Sequence, residues 1–472
     1  MNKSKIIKIS AAILATFLVS FGCFVCERAY NFKNYTEAEP LDLNQSYDLQ
    51  NFLLNNYSQE YEILKSLPYS ISTPKLDVWA ESAILIDTAN GNILYEKNAD
   101  EVIPPASMTK LFAMYVVDEE VSAGNFSYDQ IIPLPPESWA CNMPPHSSLM
   151  FLGEGQIVTL EELLLGLSIC SGNDAAYALA YTICGNMEDF VNRMNHIAFD
   201  LGLEHTHFVE SSGYSELNTT TAREMAAFCR VYLEKHPDSL ARYHGVQKFT
   251  YPKAENLAPG DKIASQDFSQ GFPRHITMPI TQRNTNPLLG ILDGVDGLKT
   301  GYIDESGYNL SLTAKRNGNR YLSVTMKGPG KSSAEGQAGR VHDGKELMEW
   351  AFSTFSDYDT GMYVHQYFVK TFGSSEKGFN LVPACSDKIL SVPYITGESM
   401  KENLAQIKVY LNYVDNGWGK ITLGEEYGNI KIVLNDYELQ TIPLIADRSI
   451  EKGNIFVRLA DWFIVRAKNI TK

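Results

Sequence analysis

Two of the three Asn-Gly pairs, Asn90-Gly91 and Asn317-Gly318, stand far apart in the chain, and each is bracketed by short apolar runs. Asn-Gly between such runs is the strongest short hairpin signal that a sequence carries. Ala83-Ile84-Leu85-Ile86-Asp87 and Asn92-Ile93-Leu94-Tyr95-Glu96 read as the first hairpin. Tyr308 to Ala314 and Tyr321 to Met326 read as the second. Between them lie helix-like stretches, among them Leu160 to Leu167, Asp174 to Ile183, Met187 to Leu201 and Ala222 to Leu233. Strands at both ends with helices between predict an α+β domain whose sheet joins distant parts of the chain. From about residue 360 the texture changes to short strands with turn residues: Ile407 to Tyr413, Gly419 to Leu423 and Ile430 to Leu434. These predict a small all-β domain.

The 472 residues are 44% apolar, enough for a large core, so wholesale disorder is excluded. A net charge of −16 argues against a nucleic-acid partner, which normally calls for a basic protein. Seven cysteines without paired spacing in the body of the chain support neither a zinc site nor a dense disulfide framework. Lys3, Lys5 and Lys8 precede an apolar run from Ile9 to Cys26, the pattern of a secretory signal or an uncleaved anchor. Cys23 is not expected to carry lipid, because Phe21 sits where lipoprotein signals prefer a small or branched residue. The expected organisation is an export segment over 1–28 and a polar spacer over 29–75. A catalytic domain follows over 76–355, then a small β domain over 356–448 and an amphipathic terminal helix over 449–472.

Chemistry concentrates in three places. In Pro104-Pro105-Ala106-Ser107-Met108-Thr109-Lys110, prolines open a helix and put Ser107 and Lys110 three residues apart on one face. A serine needs a base to become a nucleophile, and a desolvated lysine can be that base. Ser-x-x-Lys alone is a cheap match that recurs at Ser72, Ser374 and Ser449. Ser171-Gly172-Asn173, taken alone, is an ordinary helix start, and Lys299-Thr300-Gly301 an ordinary strand end. In this order, each on the expected kind of element, the three form the triplet of penicillin-binding proteins and serine β-lactamases.

On these residues the chain resembles the D-alanyl-D-alanine carboxypeptidases, low-molecular-mass penicillin-binding proteins of the S11 peptidase family. Ile86-Asp87, Asn98-Ala99-Asp100, Ser148 to Leu152, Thr220 to Met225 and Gly307 to Leu310 extend the likeness across roughly 76–355. The resemblance implies an antiparallel sheet flanked by helices, followed by a small β domain. It implies acyl transfer with no metal and no cofactor, on a peptidoglycan stem peptide ending in D-Ala-D-Ala, with β-lactam antibiotics as acylating inhibitors. Ser107 is then the nucleophile, Lys110 its base and Ser171 the proton relay to the leaving amine. Asn173 holds the acyl amide, and Lys299 keeps Lys110 neutral by like-charge repulsion. Thr300, in the Lys299-Thr300-Gly301 strand, binds the terminal carboxylate. The N–H groups of Ser107 and Tyr302 form the oxyanion hole. Arg340, ahead of the helix bearing Leu347 and Trp350, is a second carboxylate partner. Tyr302 stands where some relatives have His, a change that touches substrate shape and not a backbone role.

A class A β-lactamase needs a Glu four residues before an Asn on a loop after the second motif, and four residues before Asn218 stands Tyr214. An inactive cell-wall-binding relative is the other alternative, yet no motif residue is lost. A zinc peptidase needs spaced ligands, and the pair His205 and His207 does not provide them. At the C-terminus, Phe456, Val457, Leu459, Ala460, Phe463, Ile464, Ala467 and Ile470 fall on one helical face. Arg458, Asp461, Arg466, Lys468, Asn469 and Lys472 fall on the other. That pattern suits a helix lying in the membrane interface. The resemblance, whose members anchor this way, implies attachment at the outer face of the cytoplasmic membrane.

Overall fold

In a computed structural model of the chain, described over residues 3–35, 47–58, 62–72, 75–361, 367–385, 389–394, 399–435 and 437–470, the residues divide into two units. One is Ile63–Asp357; the other combines Met1–Glu62 with Tyr358–Lys472.

The first unit is built on a six-stranded sheet, with strands labelled in chain order β1 (Lys65–Ser66), β2 (Ser82–Asp87), β3 (Asn92–Lys97), β4 (Val295–Ile303), β5 (Gly307–Arg316) and β6 (Asn319–Gly328). Their spatial order is β1-β3-β2-β6-β5-β4. The terminal hairpins meet where β2 pairs antiparallel with β6, Ile84 opposite Val324 and Ile86 opposite Leu322. The two Asn-Gly pairs turn differently. Asn317 and Gly318 both have positive φ (52° and 94°), and Arg316 pairs with Asn319, a two-residue loop of the primed kind. In the first hairpin only Gly91 is positive, and its N–H reaches Asp87 O over a longer loop.

Both faces of the sheet are covered, so its strands carry apolar residues on both sides. Ile84, Ile86, Leu322 and Val324 face a core shared with Leu111, Phe112, Leu179 and Phe228. Ala83, Leu85, Leu310 and Leu312 face Leu347, Met348 and Ala351 of the helix Ser333–Thr354. The expected helices form over Leu160–Leu165, Asn173–Cys184, Met187–Asp200 and Ala222–Lys235. Thr159, Asn186 and Thr221 cap three of them by accepting an N–H from the third helical residue.

The second unit holds another six-stranded sheet, in the order Ile407–Tyr413, Glu426–Leu434, Tyr437–Ala446, Gly378–Pro383, Tyr367–Phe372 and Asn416–Trp418. The strand expected over Gly419 to Leu423 does not form. Gly419 and Gly424 take left-handed φ of 80° and 77°, turning the chain at both ends, and only Ile421 bridges, to Ile450. Within the stretch read as a spacer, Tyr47–Asn56 is a helix whose Leu49 and Leu53 are buried with Ala384 and Ile445.

Lys3–Asn34 is one helix, long and apolar enough to cross a membrane by length and composition. The terminal helix Ile455–Ile470 turns Ala460, Asp461 and Ile464 inward and leaves Phe456, Leu459, Trp462 and Phe463 exposed. Asp461 therefore leaves the polar face assigned to it. A buried carboxylate must be satisfied, and Arg28 donates two hydrogen bonds to it while Gly373 N–H adds a third at 2.6 Å. The side chains of Lys468, Asn469, Ile470 and Lys472 lie outside the described residues.

Candidate active site

Ser107 lies in a 3-10 turn, Ala106–Thr109, and the α-helix begins only at Lys110 and runs to Ser122. The i, i+3 spacing still brings the two side chains together, Lys110 Nζ to Ser107 Oγ at 3.1 Å. Lys110 has no exposed surface. Its nitrogen also donates to Asn173 Oδ1 at 2.8 Å and to the Ser212 carbonyl at 2.5 Å. Burial pushes its pKa down to about 7, against the opposing pull of the Glu210 and Asp174 carboxylates. Desolvation is the leading cause, in line with the reading of Lys110 as a desolvated lysine.

Ser171 sits at the end of a π-turn, Gly166–Cys170, in a left-handed conformation with φ 56°. The helix Asn173–Cys184 starts directly after it, so one irregular junction presents both Ser171 and Asn173. Asp174 holds this junction. Its buried carboxylate accepts the N–H groups of Met150, Phe151, Leu152 and Ala175 at 2.8–3.0 Å. Gly172 is needed here, since a Cβ would stand 2.6 Å from Asp174 Oδ1 and 3.0 Å from Met150 N. Asn173 Nδ2 donates to Ser147 Oγ at 3.2 Å.

Strand β4 closes the third side. Lys299 Nζ donates to Ser171 Oγ and to its neighbour's carbonyl, Thr300 O, both at 3.0 Å. Burial pushes Lys299 well below the usual lysine range, with repulsion from Lys110 and Arg340 adding to it. Two buried ammonium groups that repel each other favour a pair carrying fewer than two protons. Thr300 Oγ1 donates to Thr285 Oγ1 at 2.7 Å. Gly301 runs against the turn that carries Ser107: a Cβ there would meet Pro105 O at 2.5 Å and Ser107 N at 3.2 Å. Tyr302 points outward, its ring 4.4 Å from Tyr308 and its hydroxyl donating to Asp304 at 2.6 Å.

Arg340, expected at the substrate carboxylate, is buried behind β4. Its Nε donates to Asn309 O at 3.1 Å and its Nη2 to Gly301 O at 2.5 Å. These contacts brace the strand that carries the third motif. His205 pairs with Glu224 at 2.9 Å. The sequence reading missed Ser212, Thr285 and Glu210. Ser212 and Thr285 act through a backbone carbonyl and one exchanged hydroxyl bond, features with no residue pattern. Glu210 has a partial signal in Asn218: the side-chain amide reaches Glu210 Oε1 at 2.9 Å and Thr109 Oγ1 at 3.2 Å, at a spacing no motif records.

The chain is similar to known proteins. Residues 69–330 match the peptidase S11 family, D-alanyl-D-alanine carboxypeptidase. D-alanyl-D-alanine carboxypeptidase DacA of Escherichia coli K12 is 28% identical over 418 residues, spanning 87% of this chain and 92% of its own. DacF of Bacillus subtilis 168 is 28% identical over 395 residues, spanning 83% and 92%. Among solved structures, penicillin binding protein 5 from Haemophilus influenzae superposes with a TM-score of 0.64 at 25% identity, over 81% of this chain and all of its own. DacD from Francisella tularensis does so with a TM-score of 0.61 at 26% identity, over 82% and 97%.

Proposed function

This chain belongs to the D-alanyl-D-alanine carboxypeptidase family, and from that premise we propose how its residues divide the work. The protein is a serine-type D-Ala-D-Ala carboxypeptidase and a penicillin-binding protein. The observation that carries the division is the contact set of Lys110. A neutral amine has two N–H groups and one lone pair. With Asn173 Oδ1 and Ser212 O taking the two N–H groups, the lone pair is left facing Ser107 Oγ.

Ser107 Oγ attacks the carbonyl carbon between the two terminal D-alanines of a stem peptide while its proton passes to Lys110 Nζ. The N–H groups of Ser107 and Tyr302 receive the developing oxyanion. Collapse expels the terminal D-alanine, and the proton held by Lys110 passes through Ser171 Oγ, itself hydrogen-bonded to Lys299, to the departing amine, which returns Lys110 to its neutral form. Lys299 and Thr300 hold the substrate's carboxylate, and Asn173 the acyl amide. Arg340 supports this from behind by fixing Gly301. Water then releases the acyl group. A β-lactam acylates the same oxygen. The helix Lys3–Asn34 is a signal or membrane anchor. The exposed apolar side chains of Ile455–Ile470 rest in the lipid interface at the outer face of the cytoplasmic membrane.

Labelling with a fluorescent penicillin tests the assignment. The wild type is expected to label and Ser107→Ala not to; equal labelling of both removes Ser107 as nucleophile.

A further inference from the structure

The loop after the helix Met187–Asp200 carries a carboxylate that the reaction scheme leaves unassigned. Glu210 accepts five hydrogen bonds from its own loop. Oε2 takes the N–H and hydroxyl of Ser212 at 2.7 and 2.5 Å. Oε1 takes the N–H groups of Gly213 and Ser215 at 2.6 and 3.4 Å and the Asn218 amide at 2.9 Å. The loop so folded touches the catalytic groups in three places. Ser212 O accepts from Lys110 Nζ, and Asn218 Nδ2 donates to Thr109 Oγ1. Gly213, at φ 77°, lies so close to the nucleophile turn that a Cβ would stand 1.8 Å from Ala106 O.

We propose that Glu210 is a positioning residue for acyl transfer: its carboxylate folds residues 210–218 so that Ser212 O is fixed against Lys110 Nζ and the loop is pinned to Thr109 beside Ser107. This rests on the reading of Lys110 as the base. Glu210 is not a second base. Five donors converge on its two oxygens, leaving no free lone pair to activate water. Ser212 O is one of the two acceptors that aim the Lys110 lone pair, so a loosened loop lets the amine rotate away from Ser107. Misplacing a catalytic group by about 1 Å lowers a rate on the order of 100-fold.

The charge of Glu210 has a separate effect. Lys110 is faced by two carboxylates, Glu210 and Asp174, and by one cation, Lys299. Glu210 favours the protonated lysine, so neutralising it lets Lys110 lose its proton at lower pH.

The test compares wild type, Glu210→Gln and Glu210→Ala, using D-alanine release from a D-Ala-D-Ala peptide and penicillin labelling to count competent active sites. A wild type that neither labels nor releases D-alanine defeats the reading of the base before the variants are considered. Per labelled site, Glu210→Ala is expected to lose about 100-fold in kcat with KM within about threefold of wild type. Glu210→Gln is expected to lose less, with the acid limb of its pH profile displaced to lower pH. A merely structural role reduces the number of labelled sites and leaves rate per site and acid limb unmoved. That result overturns the proposal, as does failure of both variants to yield any folded, labelled protein.

Discussion

Adding one methyl group to β4 gives a sharp test of the oxyanion geometry. In Gly301→Ala the new Cβ would stand 2.5 Å from Pro105 O, 3.2 Å from the Ala106 Cβ and 3.2 Å from Ser107 N. Carbon atoms rest about 3.5 Å from their neighbours, so the strand and the nucleophile turn must separate by about 1 Å. Neither side gives easily. The turn leads into a fully buried helix start, and β4 is tied to β5 from Val295 to Ile303 and braced by Arg340. The separation pulls Tyr302 N–H away from Ser107 N–H. Losing one oxyanion donor lowers kcat on the order of 100- to 1,000-fold. Overpacking adds about 1–3 kcal/mol of destabilisation. In a domain of this size that is about 2–4 °C in Tm for each kcal/mol. The assay is steady-state release of D-alanine together with a thermal melt. KM is expected to rise as well, because Lys299 and Thr300, which hold the ground-state carboxylate, sit on the strand that shifts. A variant with kcat within threefold of wild type and an unchanged Tm refutes the argument that these two N–H groups are held by glycine-limited contact.

Acylation of Ser107 requires neutral Lys110, whose pKa burial lowers to about 7. The acylation rate is therefore expected to rise as pH passes up through about 7 and to fall about tenfold per unit below it; a flat profile between pH 5 and 8 removes Lys110 as base. Asp174→Ala orphans the N–H groups of Met150, Phe151, Leu152 and Ala175 and is expected to lose about 3–5 kcal/mol in urea unfolding. In Asp174→Asn one oxygen keeps its acceptor role, so a smaller loss is expected, and equal stability of all three proteins contradicts the anchoring role. A chain beginning at residue 28, which keeps Arg28 on Asp461, is expected to sediment with anionic vesicles and to stay in solution once residues 453–472 are removed. If both forms remain in the supernatant, Ile455–Ile470 only packs against its own unit.

What could be read from the sequence is what depends on neighbours in the chain. Ser107 and Lys110 meet because three residues separate them near a helix start. The Asn-Gly pairs and the capping residues Thr159 and Thr221 mark where elements begin and end, since turn and cap chemistry acts within a few residues. Even the joining of the two hairpins in one sheet was legible, because strands at both ends with helices between them leave few ways to bury their apolar faces. What the fold alone decided is the state of each group. Lys110 is desolvated because residues 63 and 102 positions away enclose it and accept its N–H groups. Arg340 reaches the backbone of Asn309 and Gly301 because Ser333–Thr354, which carries it, lies against β5 and β6. Asp461 is buried because Arg28, from the far end of the chain, neutralises it. Proton affinity, burial and the direction of a lone pair are set by atoms distant in sequence. A residue pattern can therefore name the groups, and only the packed structure assigns their charges and targets.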